Sequence, residues 1–377
     1  MFVYTLFSFL PFMVALFWTV MIVLDNIHGW KKSFMPKLLA LALVCTLFFF
    51  AQAFHYLVPD QDTAIPEIIL YVCGLAIYPV LFIFIKKITT SKDMDFYDYL
   101  LFLPSVVLIV CSVVFKMTGS VNTGLFGWVI PIYYFVMIYL SIKSSICIIR
   151  YDRQIQNFYS NTTSKTFAII LWIMYLMLFS SVLSILKSII GRDYFSGSML
   201  IAIPSLLVSV ILFIFFYKGI KIDFTAEDAS ADQLDVNQIL QYWKKFSFIQ
   251  NVKKAGESVS PTVYEDLIKE LDNAIRVNKM YRNSELKITD VADAVASNRT
   301  YVSNAINQGL NMSFSDYINK LRVEEVMDKL VTMENGKTVK QVSEEVGFNN
   351  DATFYRHFRK VTGMTPVEWI NKNRLNR

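Results

Sequence analysis

Charge is scarce in the first part of this 377-residue chain. Residues 1–221 hold 15 Lys/Arg and 9 Asp/Glu, whereas residues 222–377 hold 21 and 22. Cysteine is scarce too: Cys45, Cys73, Cys111 and Cys147 all fall inside apolar runs, and there is no CxxC pair. That excludes a disulfide framework and leaves the thiols to act as small hydrophobes. The three histidines, His28, His55 and His357, are scattered, so no metal-ligand spacing is present. No nucleophile–base pair, phosphate loop or intramembrane ion relay stands out. An enzyme or transporter is therefore not expected, and neither is a cofactor. From Pro261 onward the chain also lacks any strand pattern.

What the chain has in quantity is apolar sequence, at 54% hydrophobic against 18% charged residues, a balance unusual for a soluble protein. Seven runs are long enough to cross about 30 Å of hydrocarbon: 2–24, 38–57, 65–85, 98–115, 127–149, 167–190 and 198–217. The fourth is the shortest and contains Pro104. The first lacks a basic leader and a small-residue cleavage site, which predicts a retained helix rather than a signal peptide. Segments following the odd-numbered runs carry twelve Lys/Arg, and the opposite side carries only Lys116, Lys187 and Arg192. The positive-inside rule then predicts the N-terminus outside and the C-terminal part in the cytoplasm of a bacterial inner membrane. Glu67 and Lys143 lie closest to the hydrocarbon and are candidates for function. Both sit near run ends, where reaching the interface accounts for them as well.

Three segments follow: a seven-span membrane domain over 1–221, a cytoplasmic linker over 222–260, and a helical domain over 261–377. In the linker, the spacing of Ile239, Leu240, Trp243 and Phe246 predicts an amphipathic helix over 236–248. It would lie on the membrane, pair with a second copy, or pack on the soluble domain. Residues 253–260 read as a loop, and Ser260–Pro261 supplies a cap and a first-turn proline.

The helical domain reads as two helix-turn-helix units joined by a long helix. Leu267, Leu271 and Ile275 share a face, and Thr289 opens a short helix that a turn at Ser297–Asn298 separates from the next, over 299–307. Asn311 closes that helix in a left-handed conformation, and Ser313 to Asp316 opens the long helix, which runs to about Leu330 with Tyr317, Ile318, Leu321, Val323 and Met327 inward. Asn335–Gly336 breaks the chain. Thr338 and Gln341 form a second capping box, Gly347 ends that helix with positive φ, and Asn349 or Asn350 caps the next, over about 351–361. Phe354 and Phe358 point inward, Gly363 and Pro366 stop the helix, and Trp369 packs a final one. From Ala352 to the end there are six Lys/Arg and one Glu, the footprint that phosphate contacts need. A protein-interaction module with a basic tail fits the patterning as well.

Residues 285–377 resemble the AraC/XylS family of bacterial transcription regulators. The resemblance is carried by Val346-Gly347-Phe348, by Phe354, Arg356, Phe358 and Arg359-Lys360, and by Gly363-Met364-Thr365-Pro366. Upstream, Arg299-Thr300-Tyr301 and Phe314 to Tyr317 through Arg322 match the first unit and the joining helix. It implies that the second recognition helix touches DNA through Asp351, Ala352, Thr353 and Arg356, with Arg359 and Lys360 supplying charge. In the first unit the matching positions are Arg299, Thr300, Tyr301 and Asn304. The family often has a basic residue where Asn304 stands and glycine where Asn311 stands. The fold class expected is thus all-α, a seven-helix transmembrane bundle followed by a cytoplasmic double helix-turn-helix domain. The implied partners are double-stranded promoter DNA, the lipid bilayer, a second copy in a homodimer, and RNA polymerase if the protein activates. The membrane part either senses a signal, whose ligand is unknown, or only tethers the regulator.

Overall fold

The protein is described here from a computed structural model. It covers residues 2–27, 29, 32–57, 64–90, 95–118, 124–163, 165–176, 202–229, 261–331 and 337–374. Among these residues the chain is helical, and its one strand-like contact is an isolated antiparallel bridge between Tyr159 and Lys287. Two compact units form. One comprises Met1–Arg150 with Phe167–Glu227, and the other Tyr151–Thr166 with Asp228–Arg377.

The first unit contains α1 (Phe2–Asp25), α2 (Met35–Leu57), α3 (Ala64–Thr90), α4 (Phe96–Leu100), α5 (Leu103–Thr118) and most of α6 (Gly124–Phe158). It continues with α7 (168–176), α8 (Ala202–Ile220) and the start of a short α9 (226–229). α1 packs on α2 and α8, and α3 packs on α2 and α5. Aromatic contacts hold these helices: Phe84 lies 6.0 Å from Phe34 and 5.9 Å from Phe215, and Trp18 lies 5.2 Å from Phe213. Large apolar side chains also cover outward faces, among them Phe17, Val20, Leu24, Phe135, Ile142, Ile146, Leu206 and Val210. A helix that is apolar both toward its neighbours and away from them suits a nonpolar surrounding. The hydroxyls agree, because Thr19, Thr46, Thr89, Ser112, Ser145 and Ser209 each donate to the carbonyl four residues earlier. Such bonds satisfy polar atoms without water.

Three helices among the described residues are long and apolar enough to cross a membrane: Met35–Phe54, Ile68–Thr90 and Tyr134–Phe158. The expected count of seven is corrected accordingly. Among the residues with described side chains the apolar stretches Phe9–Asp25, Phe96–Ser112 and Ser205–Ile220 are shorter, and most of the run over 167–190 lies outside the described residues. For the fourth run the cause is visible. Pro104 has no N–H to offer the carbonyl of Leu100, so α4 ends and the chain turns through Leu101 and Phe102 before α5 begins. Lys143 is exposed, with its ammonium 4.8 Å from the Phe82 ring and 5.6 Å from Tyr139, whereas the Glu67 side chain, like residues 230–260 of the 222–260 linker, lies outside the described residues.

The second unit is built from α10 (Pro261–Val277), α11 (Ile288–Ala294), α12 (Arg299–Asn304), α13 (Phe314–Val331), α14 (Val339–Glu345), α15 (Asp351–Thr362) and α16 (Pro366–Arg374). α13 is the spine of this unit. On one side it meets the turns around α12, and on the other it meets α14, α15 and α16. Val323, Val326, Leu330, Val342, Val346, Phe348, Phe354 and Phe358 form one core, with Met327, Val339, Trp369 and Ile370 against it. Leu271, Ile275, Ile288, Val291, Val302, Ile306 and Ile318 are buried on the opposite side. α11 starts at Ile288, one residue before the Thr289 expected, because the Asp290 carboxylate accepts from the Lys287 N–H. α12 is shorter than expected and passes into a π turn over Ala305–Gly309. The break at Asn335–Gly336 lies outside the described residues.

Candidate nucleic-acid interface

Local chemistry fixes both ends of the second reading unit. The Thr338 hydroxyl accepts from the Gln341 N–H at 3.2 Å, and the Gln341 side chain accepts from the Thr338 N–H at 2.8 Å. This reciprocal cap starts α14. Gly347, at φ 99°, ends it, and its backbone sits against the carbonyl of Arg282. Asn350 then caps α15 by accepting from the Thr353 N–H at 3.0 Å, and Gly363, at φ 77°, closes it.

With its ends set, α15 has a defined rotation. Phe354, His357 and Phe358 are buried, while Asp351, Ala352, Tyr355, Arg356, Arg359 and Lys360 are exposed. Those six positions recur at helical spacing and form one outward stripe. Arg356 and Arg359 carry no ion pair among the described residues. Asp351 lies 3.6 Å from Lys340, and Lys360 bonds the Asp316 carboxylate at 2.8 Å. An exposed pair of this kind contributes at most about 1 kcal/mol, so Lys360 can exchange Asp316 for a phosphate. Tyr355, which the sequence did not single out, sits in the middle of the stripe. Thr353 does not share it. That residue is buried, and its hydroxyl lies 2.8 Å from the hydroxyl of Thr163.

His357 is a second residue that sequence reasoning passed over. Arg356 Nη2 lies 3.4 Å from His357 Nε2, and His357 Nδ1 lies 3.9 Å from the Asp316 carboxylate. This suits a neutral ring whose Nε2 accepts from Arg356, which orients the guanidinium. Burial first, then the Arg356 charge, push the His357 pKa down to about 4. Lys360 and Arg322 act in the same direction, and Asp316 opposes them. Below about pH 6.5 the unfolded chain takes up a proton that the folded domain refuses until about pH 4. Stability is therefore full above pH 6.5 and falls by about 3 kcal/mol as pH drops through that window. Thermal melts of wild type and His357→Phe across pH 4 to 7 check this, with the variant expected to show the shallower loss.

In the first reading unit Asn298 caps α12, accepting from the Tyr301 N–H at 2.9 Å. Thr300 is exposed, and Arg299, Tyr301 and Asn304 are half-buried. The Arg299 guanidinium lies 5.5 Å from the centre of the Phe158 ring. Asn304 ends the regular helix where the π turn starts. Asn311 is left-handed, at φ 51°, and Ser313 caps α13 by accepting from the Asp316 N–H.

Within the C-terminal domain, Arg322 of α13 ties the stretch before α11 to the turn between α14 and α15. It is 2% exposed. It donates to the carbonyls of Tyr281 (2.6 Å) and Asn283 (2.7 Å) and to Asn319 Oδ1 (2.9 Å), and its guanidinium lies 5.7 Å from the Phe348 ring. Burial lowers its pKa to about 10, which leaves it charged at neutral pH.

Comparison with known proteins bears on the same region. Residues 291–372 match the model of a helix-turn-helix domain. Three relatives from Bacillus subtilis (strain 168) are described as uncharacterized regulators. The HTH-type transcriptional regulator YtdP is 26% identical over 132 residues, 35% of this chain and 16% of its own length. The transcriptional regulatory protein YesN is 30% identical over 81 residues, 21% of this chain and 22% of its own. The HTH-type transcriptional regulator YobQ is 31% identical over 136 residues, 34% of this chain and 56% of its own. The chain thus spans little of the first two relatives and about half of the third. The C-terminal domain is a helix-turn-helix domain of the AraC type.

Proposed function

We propose that the protein is a membrane-integral transcription regulator that binds promoter DNA through the two helix-turn-helix units of residues 261–377. The observation that carries this reading is the outward stripe of α15 inside the matched domain, where Arg356 and Arg359 are exposed and form no ion pair among the described residues. A second helix of this kind enters the major groove. There Arg356 reads a base edge, with guanine the natural partner for its two parallel N–H groups. Arg359 and Lys360 contact phosphate, while Asp351, Ala352 and Tyr355 line the groove. In the first unit Arg299, Thr300, Tyr301 and Asn304 face DNA, and Asn304 suits adenine. A homodimer would present two such domains to a promoter, and RNA polymerase is the further partner if the outcome is activation.

Residues 1–221 hold the regulator in the bilayer, with 222–260 as the linker. The apolar outward faces and the internally bonded hydroxyls support this reading. Lys32 and Lys37 flank the start of one candidate span, Lys86 and Lys87 lie in the last turns of the next, and Arg150 and Arg153 in those of the third. This charge favours the cytoplasmic side for those ends, with the apolar stretch Phe96–Ser112 crossing between the second and the third, and the same side for the DNA-reading domain. The chain carries a signal from the membrane domain to the promoter.

A mobility shift with the full-length protein in nanodiscs and the DNA upstream of its own coding sequence tests the reading. The complex is expected to weaken steeply as salt rises, and Arg356→Ala to lower specific affinity by about 10- to 100-fold. A complex unaffected by Arg356→Ala would count against α15 as the reading helix.

A further inference from the structure

The segment Tyr151–Thr166, the last two turns of α6 and the connection to α7, packs with the C-terminal unit. It is polar and still buried: Tyr159, Ser160, Asn161, Thr162 and Lys165 are each no more than 8% exposed. Connecting segments normally run over the surface, where water satisfies their backbone. Here the helix-turn-helix domain does so instead. The Ser160 N–H donates to the Leu286 carbonyl at 3.0 Å, and the Ser160 carbonyl accepts from Ser315 Oγ (3.0 Å) and Asn319 Nδ2 (3.3 Å). Its hydroxyl donates to the Ser284 carbonyl at 3.3 Å and accepts from Arg322 Nη2 at 3.4 Å. Asn161 and Lys165 each donate to the Glu285 carboxylate at 2.9 Å. Every polar group of one serine is matched, so the seat is specific.

The two ends of the seated stretch reach both reading units. Phe158 lies beneath the Arg299 guanidinium of α12, and Thr163 bonds the Thr353 hydroxyl of α15. We infer that Tyr151–Thr166 is a strap that engages one residue of each reading unit and leaves the Arg356–Arg359 stripe exposed, so that strap and DNA compete for Arg299 and Thr353. The inference rests on the DNA-reading proposal above and names the regulation of that site. The Thr353 hydroxyl is buried and bonded to Thr163, so a phosphate reaches it only when the strap moves, and the Phe158 ring under the face of the Arg299 guanidinium sets the direction in which its N–H edge points. The partners at the seat are mostly hydroxyls, an amide, a carboxylate and backbone carbonyls, all of which water can serve once the strap leaves. The strap also carries Tyr151, Ile155, Phe158 and Tyr159, each no more than 6% exposed, so its release has an apolar cost that the signal must offset. The strap begins within the last turns of α6, residues 151–158, the C-terminal end of the apolar stretch Tyr134–Phe158. A signal that shifts this helix acts on the strap through the chain itself.

Two variants of the full-length protein in nanodiscs test the strap, with a labelled duplex selected by the wild-type protein from a random pool. Opening the strap with Phe158→Ala and Thr163→Ala is expected to tighten DNA binding about tenfold, or about 1.4 kcal/mol. Closing it with Thr163→Cys and Thr353→Cys is expected to lower affinity at least about tenfold when oxidised and to restore it on reduction, so that folding is controlled within one protein. Equal affinity for oxidised and reduced protein, or an opened variant that binds no tighter, would overturn the strap. Binding that remains sensitive to Arg356→Ala in that case leaves the DNA-reading proposal standing. If no form selects DNA above the Arg356→Ala background, the DNA-reading proposal falls, and the strap's role falls with it.

Discussion

Arg322→Ala is expected to destabilise the C-terminal unit by about 4–5 kcal/mol. The side chain is almost fully buried, and its removal leaves the Tyr281 and Asn283 carbonyls and Asn319 Oδ1 without their donor. Each orphaned acceptor costs about 1–3 kcal/mol, and the vacated volume beneath Phe348 adds a cavity cost. A typical domain has only about 5–15 kcal/mol of stability, so the variant should be largely unfolded near physiological temperature. Arg322→Lys should recover part of the loss, since one ammonium cannot reach all three acceptors in the fork geometry of a guanidinium. Denaturant-dependent hydrogen exchange of peptides from α13 to α15 in the full-length protein measures both. A variant within about 1 kcal/mol of wild type would mean that water fills the role assigned to Arg322.

The second large effect is expected at Gly347. An alanine there must hold a left-handed backbone, which costs about 1–2 kcal/mol. Its Cβ would also lie 2.4 Å from the Arg282 carbonyl oxygen, a backbone atom that cannot swing aside. The turn must then part from Tyr281–Arg282, the same stretch that Arg322 holds. A total of about 4 kcal/mol follows. Gly363→Ala is the matched control. Its φ is also positive, at 77°, but nothing lies within 4 Å of the added methyl, so only the left-handed cost of about 1–2 kcal/mol applies. The difference in unfolding midpoint between the two variants isolates the contact with Arg282. Equal midpoints would show that the turn relaxes freely.

These residues also mark the division between what local sequence reveals and what it hides. The cap of Thr338 on Gln341, the stop at Gly347, the cap at Asn350 and the inward Phe354 and Phe358 each depend on neighbours within a turn or two. All were legible, as were the left-handed Asn311 and the cap at Ser313. The stripe containing Tyr355 was legible in principle, since it shares the period of Asp351, Arg356 and Arg359. The π turn after Asn304 has no such local mark. In the apolar half the long runs were plain, but among the described residues three helices rather than seven are long enough to cross; for one run the cause is Pro104, which divides it into α4 and α5 while the residues on both sides stay apolar.

Long-range contacts were the least legible. Nothing around Ser160 signals that Ser315, Asn319 and Arg322, more than 150 residues away, complete its hydrogen bonds. Thr353 looks like any other position of a recognition helix until Thr163 is seen against it. His357 gains its effect on Arg356 from burial and from Asp316 on another helix, and a scattered histidine gives no notice of either.

The most direct test of the account is to map the chromosomal sites crosslinked to the full-length protein in intact cells, alongside Arg356→Ala at equal abundance. The account predicts discrete promoter sites with a shared sequence, occupied at least about tenfold less by the variant. A wild-type profile no different from that of Arg356→Ala, or one without enrichment at any promoter, would contradict it.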